Sequence, residues 1–220
     1  MTIISIDFSI LYPGICICRD FIDFKWLAVV NTKISKKDRG QLDHIATTYP
    51  NLKIKYTETK RSAQTEYHLS ERVKLVNYLE LINTIIEELG QLINKEEKII
   101  CVIEGISFGS KGNALVDISQ ATGMLKQKIV DKILSGDADR FFVFSPSELK
   151  NAIGAKGNAN KLDIFNKFIE DPILEQVKKS DLYKLITAEN WIIKDSKVAS
   201  PIIDMIDSYL GIVKIYELLK

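Results

Sequence analysis

The sequence predicts an α/β domain: a mixed five-stranded sheet with helices on both faces. Three observations carry this. Three short β-branched runs stand close together near the start, two later apolar runs are bounded by charged or polar residues, and long stretches of helical period separate and follow them. The chain has 220 residues, 46% of them hydrophobic, which suits one α/β domain with an insertion. Its formal net charge of +1 neither favours nor excludes a polyanionic partner, so any such partner must be argued from local charge.

Thr2 to Ile6 reads as a buried strand that Asp7 ends. Pro13-Gly14 marks a turn. Ile15 to Cys18 and Trp26 to Val30 read as two more strands, with Arg19 to Asp23 between them, so the chain should open as an antiparallel meander. Asn31 to Tyr67 is polar, and only the weak alternation of Leu52, Ile54 and Tyr56 hints at an edge strand. Lys36, Lys37, Arg39, Lys53, Lys55, Lys60 and Arg61 make this segment basic. It reads either as a solvated loop or as a flexible arm that touches phosphates.

Ser70 to Ile93 is an amphipathic helix with apolar residues at helical period, serving either core packing or a dimer face. Ile99 to Ile103 is a strand buried on both faces, closed by Glu104. A Gly/Ser-rich loop follows, then a helix from Asn113 to Leu134 with Gly136 as its stop. Phe141 to Phe144 is the fifth strand. Ser145-Pro146-Ser147-Glu148 is a capping box opening a short helix. Gly154 to Asn160 is a loop, Lys161 to Glu170 a helix, and a last helix, capped by Ser200-Pro201, runs through Leu218. Residues 1–220 thus read as a single domain, with an inserted polar segment at about 32–67 and a long helix at about 70–94.

Cys16, Cys18 and Cys101 each lie in an apolar run and read as small buried hydrophobes; their odd number fits a reducing compartment. The opening MTIISIDFSI has neither the basic nor the long apolar region of a signal peptide. No stretch approaches the ~20 apolar residues of a membrane span. A soluble, intracellular protein with no membrane partner is expected.

Four acids stand where a solvated charge is not expected. Asp7 and Glu104 close buried strands, and Asp204 and Asp207 interrupt the apolar run PIIDMIDSYLGIV. Their i, i+3 spacing puts the last two on one helix face, and Gly211 keeps that face narrow enough for close approach of another backbone. Singly, each acid has an ordinary role, as a turn cap or a partner of the helix dipole. Together they form a hard oxygen donor set for Mg²⁺. Two ions about 4 Å apart in such a set activate water and stabilise the leaving oxygen in phosphodiester cleavage.

In this order the motifs resemble the RuvC family of Holliday-junction resolvases, within the ribonuclease-H-like superfamily. Ile3-Ile4-Ser5-Ile6-Asp7 matches the opening strand and its Asp, and Val102-Ile103-Glu104 the second acid. Ser119-Gln120-Ala121-Thr122-Gly123 matches a helix with small residues. Leu149-Lys150, the glycines from Gly154 to Gly157, and Lys161 match a Lys, glycine-rich loop, Lys series. Asp204-Met205-Ile206-Asp207 matches the closing Asp-x-x-Asp. The resemblance implies a ribonuclease-H-like fold and a homodimer that nicks four-way DNA junctions with Mg²⁺, or Mn²⁺ in its place, two ions per site. Asp7, Glu104, Asp204 and Asp207 are then metal ligands, and Lys150 and Lys161 phosphate contacts, Lys161 also stabilising developing charge. Lys111, Lys156 and Phe108 become further DNA contacts. The chain departs from the family in its longer stretch between Asp7 and Glu104, and in Ser107 where the family carries an aromatic, with Phe108 one place later. Neither His44 nor His68 lies near the last acids, so Asp207 takes the place that a His holds in some relatives. Such divergence suits a viral or organellar member more than a standard bacterial one.

Other readings are a ribonuclease-H-fold nuclease for flaps or RNA–DNA hybrids, a non-catalytic junction binder, and an actin- or sugar-kinase-like ATPase. Against the last, Asp7-Phe8-Ser9-Ile10-Leu11 lacks a Gly/Thr-rich phosphate turn.

Overall fold

The computed structural model describes residues 1–57, 66–106, 112–170, 172–194 and 197–220. Strands β1 (Thr2–Asp7), β2 (Gly14–Arg19) and β3 (Asp23–Val30) form the antiparallel meander. In the polar segment the edge strand hinted at by Leu52, Ile54 and Tyr56 forms, while the rest is neither plain loop nor arm. The segment holds a helix, α1 (Lys36–Thr48), and a strand, β4 (Leu52–Tyr56), which pairs in parallel with β3. Ser35 caps α1 by accepting from the Asp38 amide, but only Leu42 and Ile45 of the helix are buried, too sparse a stripe to show as periodicity.

Next come α2 (Tyr67–Leu92), β5 (Ile99–Glu104) and α3 (Asn113–Lys132). β6 (Phe141–Phe144) leads into α4 (Pro146–Ala152), where the Ser145/Glu148 capping box forms as expected. They are followed by α5 (Lys161–Glu170), α6 (Asp181–Ala188), the small hairpin β7 (Ile193–Lys194) and β8 (Lys197–Val198), and α7 (Ile202–Leu218). Pro201, not Ser200, sits at the boundary of α7, and no side chain caps it because proline carries no hydrogen-bonding side-chain atom.

The sheet order is β4-β3-β2-β1-β5-β6, with β5 parallel to β1 and β6 parallel to β5. This is the mixed α/β arrangement that the sequence predicts, with six strands rather than five because β4 extends one edge. Alternation along the strands divides the core in two. Ile4, Ile6, Ile15, Leu27, Cys101 and Ile103 face α2 and α3. Ile3, Cys16, Cys18, Trp26 and Val102 face the layer of α4 to α7. All three cysteines are buried, and burial raises their thiols, that of Cys18 to about 12, so they behave as core hydrophobes. Among the described residues, no helix is long and apolar enough to cross a membrane.

β4 also decides the fate of two of the basic side chains. Lys53 and Lys55 reach Glu88 of α2, at 3.3 and 2.8 Å, instead of extending into solvent. Burial pushes the Glu88 carboxyl up, but the hydrogen bonds from Lys55 and Lys53 outweigh it and the net shift is downward. A lowered carboxyl adds stability above its unfolded pKa, and that stability is lost as pH falls through the folded value. Glu88→Gln is therefore expected to cost about 1–2 kcal/mol at pH 7 and almost nothing near pH 3, measured by urea unfolding. An equal cost at both pH values would show that packing, not charge, is what Glu88 contributes.

Candidate functional site

β1 and β5 run in parallel with Ile6 beside Ile103, so their ends deliver Asp7 and Glu104 to the same edge of the sheet. The other two acids arrive on α7. The helix lies across β1 and β2, and two glycines permit that contact. A methyl group at Gly14, the cross-strand partner of Asp7, would overlap the backbone carbonyl of Asp204. One at Gly211 would overlap the Ser5 hydroxyl and crowd Val102. Sequence spacing anticipates the close approach at Gly211. It reads Gly14 only as a turn residue, since nothing local to Pro13-Gly14 reports a helix 190 residues downstream.

The result is a compact cluster. Carboxylate oxygens of Asp7, Asp204 and Asp207 all lie within 4.8 Å of one another. The Lys161 ammonium, from the first turn of α5, reaches Asp204 at 2.9 Å and Asp207 at 3.4 Å. It is their counter-ion. The second Asp204 oxygen is buried without a hydrogen-bond partner. Glu104 stands at the edge of the trio, close enough for its charge to act on Asp7.

The electrostatics follow from burial and crowding. Desolvation first, then the charges of Asp207, Glu104 and Asp204, push the Asp7 carboxyl well above its ordinary range. Burial and the Asp207 charge push Glu104 up to about 7, against Lys150 and Lys161. Burial likewise pushes Asp207 up to about 6 despite Lys161. The Lys161 ammonium loses hydration, but Asp204 and Asp207 more than compensate, so its pKa is raised. One lysine is too little positive charge for this many acids. The hard oxygen donors, their spacing and the orphaned Asp204 oxygen fit a divalent cation.

The remaining candidates are dispersed. Lys150 of α4 donates to the Ala159 carbonyl at 2.8 Å, which ties the 154–160 loop to the site, and its charge acts on Glu104 and Asp207. Lys156 is exposed and lines an open depression with Asp163 and Lys167, which none of the four acids lines. Ser107, Phe108 and Lys111 lie outside the described residues. Tyr12, which sequence reasoning passed over, stands between two carboxylates: burial, Asp204 and Asp38 together raise its phenol.

A family model described as crossover junction endodeoxyribonuclease RuvC matches residues 59–179, more than half of the chain. Among solved structures, the chain is similar to one described as Thermus thermophilus RuvC. Identity is 12%, the TM-score 0.47, and the alignment covers 99% of this chain and 96% of that one. It is also similar to T. thermophilus RuvC in complex with a Holliday junction substrate, at 13% identity, a TM-score of 0.47 and the same coverage. The matched segment contains Glu104, Lys150 and Lys161, while Asp7, Asp204 and Asp207 come from the strand before it and the helix after it. On the match of its central half, this chain belongs to the RuvC family.

Proposed function

We propose that the protein is a metal-dependent endonuclease that resolves four-way DNA junctions by paired nicks. The observation that carries this is the convergence of three carboxylates, Asp204 buried and Asp7 and Asp207 partly so, one Asp204 oxygen being left without a partner and too little positive charge lying among them. Asp7, Asp204 and Asp207, with Glu104 as fourth ligand, would hold two Mg²⁺ ions, or Mn²⁺ in their place. Such ions activate the attacking water and neutralise charge on the leaving oxygen.

The chain's own groups position and stabilise the substrate. Lys161 and Lys150 bring two ammonium groups to the rim of the cluster, where they hold the scissile phosphate and offset its developing charge. The Ala159 carbonyl holds Lys150 in place, and Asp204 holds Lys161. Lys111, Lys156 and Phe108 are proposed as outlying DNA contacts. Paired nicks need two sites, hence a homodimer. We place its face on α2, where Leu75, Val76 and Leu79 remain exposed while Leu81, Ile82, Ile85 and Leu89 fill the core.

The deciding experiment is cleavage of a synthetic four-way junction with Mg²⁺, set beside flap and RNA–DNA hybrid substrates. The wild type is expected to nick the junction in preference, and Asp7→Asn and Glu104→Gln to bind it without nicking. Tight binding with no cleavage under any divalent metal would overturn the proposal in favour of a junction-binding protein.

Lys161 has a dual role in this reading. Lys161→Ala is expected to lower the single-turnover rate about a hundredfold, the usual scale for one electrostatic contact. It should also lower the melting temperature in EDTA, because Asp204 and Asp207 lose their counter-ion. A lowered melting temperature with an unchanged rate would confine Lys161 to the second role.

A further inference from the structure

Beside the acid cluster lies a groove of about 330 Å³ that the nuclease reading does not use. Three separate segments build it. Tyr12 comes from the β1–β2 connection, held there by a hydrogen bond from its amide to the Ser9 hydroxyl at 2.9 Å. Ile34 and Leu42 come from α1 and the residues before it and supply an apolar lining. Trp191 comes from the short turn ahead of β7, half-buried, its indole N–H donating to Glu189 at 3.0 Å. Gln41 and Asp38 add hydrogen-bonding groups, and the exposed Lys37 adds a positive charge.

The groove adjoins a depression that holds the counter-ion of the carboxylates. Ser200 lines the groove, and also lines this second depression of about 500 Å³, which contains Lys161 and Lys197. Lys161 is the counter-ion of Asp204 and Asp207. The groove thus adjoins the depression that holds the cluster's counter-ion, and the Asp204 charge acts on its Tyr12.

The chemistry selects an occupant. Two aromatic side chains offer flat faces for stacking. An amide and a carboxylate offer acceptors and donors for the edge of a base, and a lysine suits the adjoining phosphate. A base still paired inside a duplex cannot enter, whereas one at a branch point, unstacked from its neighbours, can.

Resting on the nuclease reading above, we propose that this groove receives one unpaired nucleobase of the strand being cut, stacked on Trp191, with Lys37 on its phosphate. The polar segment is then neither a loop nor a loose arm, because α1 forms one wall of a substrate pocket. Placing the pocket beside the metal site makes cleavage depend on a base that has left the stack, so junction centres are selected over plain duplex.

The two tryptophans make the test direct. Trp26 is fully buried in the core, so any change in emission on DNA binding reports Trp191. In an Asp7→Asn background, which holds substrate without cutting it, a four-way junction is expected to quench tryptophan emission and plain duplex is not. Trp191→Phe should keep most of the affinity and lose the quench. Trp191→Ala should bind the junction about tenfold more weakly, the scale of one stacked base. A junction carrying single abasic positions should lose the quench at one position near the cut. Junction binding with unchanged emission, or an Ala variant that binds as tightly as its parent, would overturn the proposal. If the parent binds no DNA at all, the nuclease reading falls and this inference falls with it.

Discussion

Asp7→Asn is expected to reduce junction cleavage by roughly a thousandfold or more, the scale of losing a ligand that organises catalytic metal ions. It is also expected to make the metal-free protein more stable. Both effects have one cause. Asp7 sits in the most crowded part of the cluster, with burial and three acidic neighbours opposing its charge. A neutral amide at this position ends the repulsion that Asp207, Glu104 and Asp204 exert on the Asp7 charge.

The pH dependence gives the sign. A carboxyl with a raised folded pKa supports the fold below its unfolded value, and that support is lost as pH rises through the folded value. The metal-free wild type should therefore lose stability between about pH 4 and pH 8, the window that the rises of Asp207 to about 6 and Glu104 to about 7 define. For Asp207 alone, the rise from 3.8 to about 6 corresponds to something of the order of 3 kcal/mol. Urea unfolding in EDTA at pH 5 and pH 8 measures this. The wild type should be weaker at pH 8, and Asp7→Asn should be flatter across the range and more stable at its upper end. Mg²⁺ at pH 8 should raise the melting temperature of the wild type far more than that of the variant. A wild-type profile that is level from pH 5 to pH 8 would remove the case for a strained acid cluster.

The second large effect concerns a residue with no chemistry of its own. Gly14→Val is expected to destabilise the protein by about 3 kcal/mol and to abolish metal binding, because its side chain would overlap the helix backbone at Asp204 and Met205. The α7 backbone at Asp204 must retreat, which carries Asp204 and Asp207 away from Asp7. A control separates this from a generic effect of replacing glycine. Gly123 lies in α3 with open space where a Cβ would go, so Gly123→Ala should stabilise by about 0.5–1 kcal/mol and leave metal binding intact. Thermal unfolding with and without Mn²⁺ reads both variants. If Gly14→Val folds normally and binds Mn²⁺ at wild-type affinity, the seating of α7 against β2 is not what assembles the site.

The strands and the long helices were legible because each carries its own signal. Ile99 to Glu104 is continuously apolar and then charged, α2 repeats at helical period, and Ser145 to Glu148 spells its cap. α1 was not legible, because a helix that buries only Leu42 and Ile45 has almost no periodicity to show. Lys53 and Lys55 read as candidate phosphate contacts until Glu88, on a different element, was found beneath them.

The sequence by itself determined the α/β class, the opening antiparallel meander, and four acids set where no solvated charge belongs, since these depend on residue type and local spacing. Only the tertiary structure decided what those acids do to one another. Which oxygens share a space, that Lys161 balances two of them, that Glu104 stands at the edge, and that Gly14 admits α7 are all contacts between segments far apart in the chain. Local pattern cannot encode such contacts, because they arise only when the two buried layers close on the sheet and the packing of α7 sets the distances.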